Sequence, residues 1–384
     1  MKDISIYFHP TKSKAKLAST QLGQHIITPV DDYSEIEKKS IALIFVSEYR
    51  QSNIKHSEIA FHSIVSCLEQ LQWGDWKTKL YNLGEIKPGQ NPADTYAALK
   101  EVTFELIKNN IFPLIIGGSQ DLTYSVYQAY EKLEQTVNLL TIDSHFDLGD
   151  PDEPVKESGW LNKILLHQPN YLFNYANVGY QSYYVNTEES ELFSKMFFDI
   201  HRLGEYYTDS TIVEPLARNS DLVSFDMNAI RSSDYKHNTK HSPHGFYGED
   251  ACRIMRYAGI SDKLSSCGIY NFNGIGEDGG QGANLVAQMI WYFVEGFNQR
   301  KDDYPVCTKK NYIKYRVNID DFKDEILFYK SDKSGRWWIE IPYPNSDKSK
   351  FQRHLLVPCT YEVYQDALRN EMPALWWKTY QKLI

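Results

Sequence analysis

The chain of 384 residues has few cysteines, no long apolar run and no block of basic residues. Its five cysteines are scattered, odd in number and without a Cys-x-x-Cys pair, a usage typical of reduced thiols in the cytosol. No apolar run approaches the roughly 18–20 residues that a membrane-spanning helix needs. No apolar signal core follows the start at Met1 to Ser5. We therefore expect a cytoplasmic protein that is neither secreted nor inserted in a membrane.

The charge of the chain excludes a second group of partners. Its formal net charge is −9, and no basic block offsets it, so neither nucleic acid nor an anionic membrane surface is expected to bind. What the chain does contain is 42% hydrophobic and 24% charged residues, the balance of a soluble globular protein. Aromatic residues make up 14%, so large flat side chains contribute much of the packing.

Short apolar runs alternate with amphipathic stretches over most of the chain. The predicted strands are Ile41–Val46, Ile111–Ile116, Val137–Ile142, Asn177–Tyr180, Leu222–Phe225 and Cys267–Tyr270. Helical patterns lie between them, one with Asp94 as its N-cap, one starting near Gly248 and one that contains Leu285 to Phe293. This alternation predicts an α/β fold with three layers, a mostly parallel central sheet covered by helices on both faces. Functional sites in such sheets form at the carboxyl ends of the strands.

From about residue 302 onward the pattern changes. The runs are short, alternating and bounded by turns, at Tyr312–Ile319, Glu325–Tyr329 and Arg336–Ile341. They predict a small antiparallel unit, followed by a helix that ends in Trp376-Trp377. The charged stretch Asn298 to Asp303 is the predicted linker. We therefore divide the chain into an α/β domain at 1–301 and a C-terminal α+β extension at 302–384, packed on the core.

Three polar clusters lie at or just after the ends of predicted strands. They are Gly117-Gly118-Ser119-Gln120-Asp121, Asp143-Ser144-His145-Phe146-Asp147 and Ser224-Phe225-Asp226-Met227-Asn228. Asp143, His145 and Asp147 alternate, so an extended segment would point them to one side. Two carboxylates and an imidazole suit a hard or borderline divalent cation. Taken alone, the pattern suits an acidic surface loop equally well.

The three clusters in this order, each at a strand end, resemble the family of arginases, agmatinases and formimidoylglutamases. The family motifs are Gly-Gly-Asp-His-Ser, Asp-Ala-His-x-Asp and Ser-x-Asp-x-Asp-x-x-Asp-Pro. The resemblance runs from about Ser40 to Phe297 and includes the segment Asp278 to Ala283; Leu161 to Tyr183 and the tail look most like the formimidoylglutamase branch. It implies an arginase-like fold, a homo-oligomer, and two manganese ions that share a hydroxide. In the family this hydroxide attacks a guanidinium or amidine carbon.

The metal-ligand positions are only partly retained. By resemblance, Asp143, His145 and Asp147 match the ligands of the second motif, and Asp226 matches the first aspartate of the third. Gln120 stands where the first motif has its ligand histidine, and Asn228 stands at the second aspartate of the third. The inferred first site is then Gln120, Asp143, Asp147 and Asp226, and the second is His145 and Asn228 with Asp143 and Asp226 shared. Because an amide oxygen donates less charge than a carboxylate, the second ion should bind more weakly.

Three further positions depart from the family pattern. Arg231 stands at the later aspartate of the third motif and would add positive charge. Asn271 falls at the glutamate that faces the substrate's cationic carbon, and Asn162 at the proton-shuttling histidine of the arginases, so both are predicted substrate-binding positions. Asp121 could replace the missing ligand if its loop shifts by one residue. We accordingly expect one or two manganese ions, weakly bound or absent.

Two functions remain open from the sequence. The first is a metal-dependent hydrolase of linear amidine or guanidine C–N bonds, with a degraded dinuclear site. The alternative is a catalytically inactive family member that acts as a binding or scaffold protein. In both cases the expected partner is a small molecule. The histidines His237, His241 and His244 lie in a polar stretch that is predicted to be a solvated loop over the site entrance rather than a metal-binding tract. Trp337-Trp338 and Trp376-Trp377 are predicted to pack the tail on the core or to line an oligomer contact.

Overall fold

A computed structural model describes residues 1–9, 17–29, 32–52, 61–273, 280–305, 309–320, 322–343 and 351–383. The strands are β1 (Phe8–His9), β2 (Ile26–Ile27), β3 (Ile41–Val46), β4 (Leu80–Ile86), β5 (Phe112–Gly117), β6 (Val137–Ile142), β7 (Leu172–Tyr180), β8 (Asp199–Arg202), β9 (Leu222–Asp226), β10 (Ser266–Tyr270), β11 (Tyr312–Val317), β12 (Ile326–Ser331), β13 (Trp337–Glu340) and β14 (Leu356–Cys359). The helices are α1 (Phe61–Gln70), α2 (Pro92–Lys108), α3 (Leu122–Lys132), α4 (Trp160–Leu165), α5 (Thr187–Lys195), α6 (Leu203–Thr208), α7 (Val213–Asn219), α8 (Gly248–Ile260), α9 (Gln281–Asn298), α10 (Tyr361–Leu368) and α11 (Ala374–Leu383). Cys307, Asp278 and Gly279 lie outside the described residues.

The central sheet confirms the predicted fold class. Its strand order is β1-β4-β3-β5-β10-β9-β6-β7-β8, with β2 also paired to β4. Strand β1 runs antiparallel to β4, and the other pairings within this sheet are parallel. All six predicted strands belong to it. Their apolar runs are continuous because both faces of a central parallel strand are covered.

Each face of the sheet packs on its own set of helices. Leu43 and Ile116 point to one side, where they join a core with the apolar residues of α1, α8 and α9. Ile44 and Ile115 point to the other side and pack with those of α2 and α3. Successive side chains of a strand alternate between faces, so one apolar run serves both cores. The result is the three-layer α/β/α arrangement.

In the α/β part of the chain, the prediction is incomplete at β4 and wrong at the start of α2. Strand β4 has no counterpart in the prediction, because Asn82, Gly84 and Glu85 interrupt its apolar pattern. Helix α2 begins earlier than predicted: Asn91 is its N-cap and accepts from the backbone N–H of Asp94 at 3.1 Å, while the Asp94 side chain accepts in return from the Asn91 N–H. This reciprocal pair leaves Asp94 inside the first turn instead of before it.

The C-terminal part forms a separate antiparallel sheet in the order β11-β12-β13-β14, with α10 and α11 beside it. The predicted small antiparallel unit is therefore confirmed, although β14 was not predicted. The helix predicted to end in Trp376-Trp377 instead begins just before this pair, at Ala374. Arg218 of α7 donates to the backbone oxygens of Trp337 at 3.0 Å and Cys359 at 3.1 Å, so this sheet contacts a helix that precedes β9 of the larger sheet. The division at residue 301 stays a prediction. Among the described residues, no helix combines the length and the apolar character that crossing a bilayer requires.

Candidate functional site

Four adjacent strands bring the polar clusters together. The order β5-β10-β9-β6 places their carboxyl ends side by side at one edge of the sheet. Tyr270 is paired with Asp226, and Phe225 with Ile142, so the loops after β6, β9 and β10 begin at nearly the same level. The backbone N–H of Asn271 donates to Gly118 at 2.8 Å and joins the loop after β10 to the loop after β5. The strand order thus produces the convergence that the sequence predicts.

The loop after β5 turns sharply and buries Gln120. Gly117 has a φ of +139°, and a Cβ there would lie 2.3 Å from the backbone oxygen of Val46, so only glycine fits. Gln120 follows with no exposed surface. Its Nε2 donates to Ser224 Oγ at 3.3 Å, and its Oε1 has no hydrogen-bond partner among the described residues. A buried amide oxygen without a partner is an acceptor available to a ligand.

The second cluster forms a compact turn. Asp143 Oδ1 accepts the backbone N–H of His145 at 2.9 Å, and Asp147 Oδ2 accepts Trp160 Nε1–H at 3.1 Å. Asp147 has a φ of +50°, so the prediction of an extended segment is wrong at this residue. Burial, together with the Asp147 and Asp226 carboxylates, raises the pKa of Asp143 well above its usual value. Burial and the Glu157 carboxylate raise the pKa of Asp147 to about 7.

His145 is partly exposed and lies beside these carboxylates. Its Nδ1 is 2.8 Å from Ser144 Oγ, and its ring stacks on Tyr184 with the centroids 4.6 Å apart. Burial and the nearby Lys240 ammonium lower the pKa of His145 to about 4. The imidazole is therefore neutral at pH 7.

Asp226 is held by two N–H groups, one from its own cluster and one from the loop after β10. Its Oδ1 accepts the backbone N–H of Asn228 at 2.8 Å and Nδ2–H of Asn271 at 2.9 Å. Asn228 is buried too, and its side-chain oxygen accepts the backbone N–H of Thr239 at 2.9 Å and the Thr239 hydroxyl at 3.0 Å. Burial raises the pKa of Asp226 to about 7. Asn271 is therefore placed against the cluster as a donor to a carboxylate, and the substrate-binding role given to it stays a prediction.

A cavity of about 330 Å³ opens over this edge of the sheet. His145, Asp147 and Asp226 line it, together with Glu157 and Lys240. Sequence reasoning missed Glu157 as well as Lys240, although the loop that carries Lys240 was predicted to cover the entrance. A larger cavity of about 540 Å³ lies at the opposite, amino-terminal edge of the strands and contains none of the predicted site residues. The smaller cavity is the candidate site, because the polar clusters predicted from the sequence converge there.

Three other residues point elsewhere. The Arg231 guanidinium lies over the Tyr247 ring at 4.4 Å and forms an ion pair with Asp234 at 3.5 Å, and it does not line the cavity. The Asp121 carboxylate accepts the hydroxyl of Tyr96. Asn162 lies on α4 and does not line the cavity either. The substrate role given to it stays a prediction.

The donor set decides how well metal ions fit here. Within the parts of the chain that the structure describes, no three His, Cys, Asp or Glu side chains are arranged so that they could hold an ion, and this includes the loop histidines. The inferred second site fits worst, because the Asn228 oxygen already accepts from Thr239 and one Asp226 oxygen already accepts two N–H groups. The inferred first site retains three carboxylates and the unpartnered Gln120 oxygen. The residues present therefore do not fit a pair of ions.

Known proteins of similar sequence and structure agree on the family. The sequence model of the Arginase family matches residues 51–295. A formimidoylglutamase of Staphylococcus haemolyticus is 24% identical over 225 residues, covering 56% of this chain and 71% of that protein. One from Streptococcus gordonii is 21% identical over 287 residues, covering 70% and 87%.

Solved structures show the same fold. The crystal structure of formimidoylglutamase from Bacillus subtilis superposes with a TM-score of 0.65 at 17% identity, covering 77% of this chain and 97% of that one. The crystal structure of Trypanosoma cruzi formiminoglutamase with Mn2+2 has a TM-score of 0.64, also at 17% identity, covering 70% and 97%. The family model spans more than half of the chain, and the sheet carries its polar clusters at the expected strand ends. This chain belongs to the arginase family.

Proposed function

We propose that this arginase-family protein binds a small cation rich in N–H groups, of the amidine or guanidinium class, and does not hydrolyse it by the two-manganese reaction. The observation that carries this proposal is the use of Asn228. Its side-chain oxygen stands where a second ion would need a ligand, and both of its hydrogen bonds come from Thr239. An oxygen that accepts two hydrogen bonds has little capacity left for a cation.

The class of ligand follows from acceptor groups at this edge of the sheet. Asp147 and Asp226 line the cavity with carboxylates. Asn271 Oδ1 and Gln120 Oε1 are buried and have no hydrogen-bond partner among the described residues. All four groups are acceptors. An amidinium or guanidinium ion offers several N–H donors in one plane together with a positive charge, and it pairs with carboxylates through two parallel hydrogen bonds. Burial makes such charge-assisted bonds stronger than they are in water.

A second candidate is a hydrolase that uses a single metal ion. Three carboxylates, the buried Asp143 and Asp226 and the partly buried Asp147, belong to the same cluster as the free oxygen of Gln120, and oxygen donors of this kind suit manganese or magnesium. We rank it second because no three His, Cys, Asp or Glu side chains of the described residues are arranged so that they could hold an ion.

Metal content and turnover separate these possibilities. The protein is purified without chelators, its metal content is measured by elemental analysis, and it is assayed with saturating manganese against formimidoylglutamate, agmatine, arginine and guanidinobutyrate. The same compounds are titrated calorimetrically into metal-free protein. We expect less than one manganese per chain, no turnover, and binding of at least one compound that Asp226→Asn abolishes.

Other results would favour other functions. Two manganese ions per chain with turnover would overturn the proposal. One ion per chain with turnover would support the single-ion hydrolase instead. A protein that neither binds nor converts any of the four compounds would also contradict the proposed ligand class.

A further inference from the structure

Lys240 lies on a loop that the third polar cluster holds in place. Asn238 Nδ2 donates to the backbone oxygens of Asn228 at 2.9 Å and Ile230 at 2.6 Å. Thr239 donates both of its groups to the Asn228 side chain, and the backbone N–H of Lys240 donates to Asn238 Oδ1 at 2.8 Å. The backbone on the N-terminal side of Lys240 is therefore fixed against the end of β9. The long Lys240 side chain therefore extends from a fixed backbone position.

The Lys240 side chain lines the cavity and is exposed. Asp147, Asp226 and Glu157 line the same cavity. Partial burial works against its charge, but the carboxylates of Glu157, Asp147, Asp226 and Asp143 outweigh this effect and raise the pKa of Lys240. The interaction is mutual, since Lys240 opposes the rise in the pKa of Asp147. A permanent positive charge thus faces the carboxylate cluster.

We propose that the Lys240 ammonium is the built-in cation of this site: beside Asp147 and Asp226 it supplies the positive charge that a second metal ion would otherwise supply, and it repels that ion. This inference rests on the proposed function, because it explains how the cluster stays folded without a metal pair. Buried carboxylates that lie together repel one another and need protons or a cation. A lysine carried on the same chain meets part of that need.

Asn228 affects both the charge of the cluster and the position of Lys240. An aspartate there would add a further carboxylate to the cluster, whereas the amide adds none and still accepts both hydrogen bonds from Thr239. One residue thus lowers the negative charge and anchors the loop that brings the lysine. A divalent ion at the second site would have to approach Lys240, and its two charges are repelled more strongly than the single, delocalised charge of an amidinium or guanidinium ion.

The test compares Lys240→Met with two controls in the full-length protein, using Mn2+ alone as the probe. Lys240→Arg keeps the charge, and Lys236→Met removes an exposed lysine of the same loop. Melting temperature is measured in EDTA and in Mn2+, and Mn2+ affinity is measured by calorimetry. We expect Lys240→Met to melt roughly 3 °C lower than the wild type in EDTA, to be stabilised by Mn2+, and to bind Mn2+ at least about tenfold more tightly. Both controls should behave like the wild type.

The outcomes are separable from those of the proposed function. Equal melting temperatures and equal Mn2+ responses of Lys240→Met and Lys236→Met would overturn the role of Lys240, whatever the turnover assays give. Tight Mn2+ binding by the wild type would overturn it too. Turnover by the wild type with two bound ions would overturn both the proposed function and this inference, whereas equal responses of the two variants overturn the inference alone. If Lys240→Met expresses poorly, the polar neutral substitution Lys240→Gln takes its place. The melting and Mn2+ responses expected of Lys240→Met would then support the inference when Lys240→Gln shows them.

Discussion

The side-chain oxygen of Asn228 accepts two hydrogen bonds from Thr239, one from its backbone N–H at 2.9 Å and one from its hydroxyl at 3.0 Å. Asn228 follows the end of β9, while Thr239 belongs to the loop over the cavity. The pair therefore joins the end of β9 to the loop that carries Lys240. Because Lys240 is the next residue, the same pair also fixes the backbone from which Lys240 extends into the cavity, which it lines together with Lys156.

Removal of this connection should loosen the loop. Asn228→Ala deletes the acceptor of both bonds and leaves the Thr239 donors to find water, which should cost about 2 kcal/mol of unfolding free energy. Thr239→Val removes only the hydroxyl bond and should cost about 1 kcal/mol. Hydrogen exchange over residues 236–245 should be faster in Asn228→Ala than in Thr239→Val. Equal exchange in the two variants and the wild type would show that the loop is held by other contacts.

Restoring the family's ligand types should restore some metal binding. The double variant Gln120→His with Asn228→Asp adds an imidazole and a carboxylate at the strand ends, so its manganese content by elemental analysis should exceed that of the wild type. Adding Lys240→Met should raise the content further. The matched control is Gln70→His with Asn284→Asp, the same exchanges at two exposed positions. If the control gains as much metal as the double variant, the gain does not come from the cavity.

A buried charge pair at the opposite, amino-terminal edge of the sheet should make the free energy of unfolding depend on pH. Asp221 and Lys263 have no exposed side-chain surface and lie 3.4 Å apart, and Arg353 also contacts Asp221 at 2.6 Å. Asp221→Asn leaves both cations without their partner, so we expect a loss of about 3 kcal/mol at pH 7.

The sign of the pH effect follows from Lys263. Burial lowers its pKa to about 8 despite Asp221, and without that carboxylate the pKa falls further. At pH 7 the variant must therefore either bury a charge that no carboxylate compensates or release a proton that the wild type keeps. As the pH rises through 8, Lys263 becomes neutral in both proteins, and the difference in unfolding free energy should shrink. Denaturant unfolding at pH 7 and pH 9 measures it, and a gap that widens with pH would contradict the assignment.

The attachment of the C-terminal sheet should depend on Arg218. This buried arginine of α7 donates to the backbone oxygens of Trp337 and Cys359 and lies over the Trp338 ring at 4.7 Å. Arg218→Ala leaves both oxygens without their donor and should cost about 3 kcal/mol.

Limited proteolysis reports the attachment directly. Cleavage of Arg218→Ala between residues 298 and 312 should be faster than in the wild type, because the C-terminal sheet separates from the core more often. The control is Arg316→Ala, which removes an exposed ion pair with Glu325 at 3.0 Å inside the small sheet and should cost under about 1 kcal/mol. Equal cleavage of both variants would show that Arg218 does not hold the two sheets together.

The sequence by itself determined the class of fold and the family. Continuous apolar runs such as Ile41–Val46 must be buried on both faces, so a covered parallel sheet follows from hydrophobicity alone. The order of the polar clusters along the chain, each behind such a run, places their residues at one edge of that sheet. Local patterns were weaker where polar residues interrupt a strand, and for this reason Leu80–Ile86 was missed.

Only the tertiary structure decided how the site residues are used. That Asn271 donates to Asp226, that Thr239 occupies the Asn228 oxygen and that Lys240 faces the carboxylates are relations between segments far apart along the chain or on different loops. No local propensity encodes them, since an amide can serve as donor or as acceptor. Its partner, fixed by packing of the whole chain, selects one of the two. In this site, the partner decides whether an amide oxygen is available to a metal ion or is already engaged in hydrogen bonds.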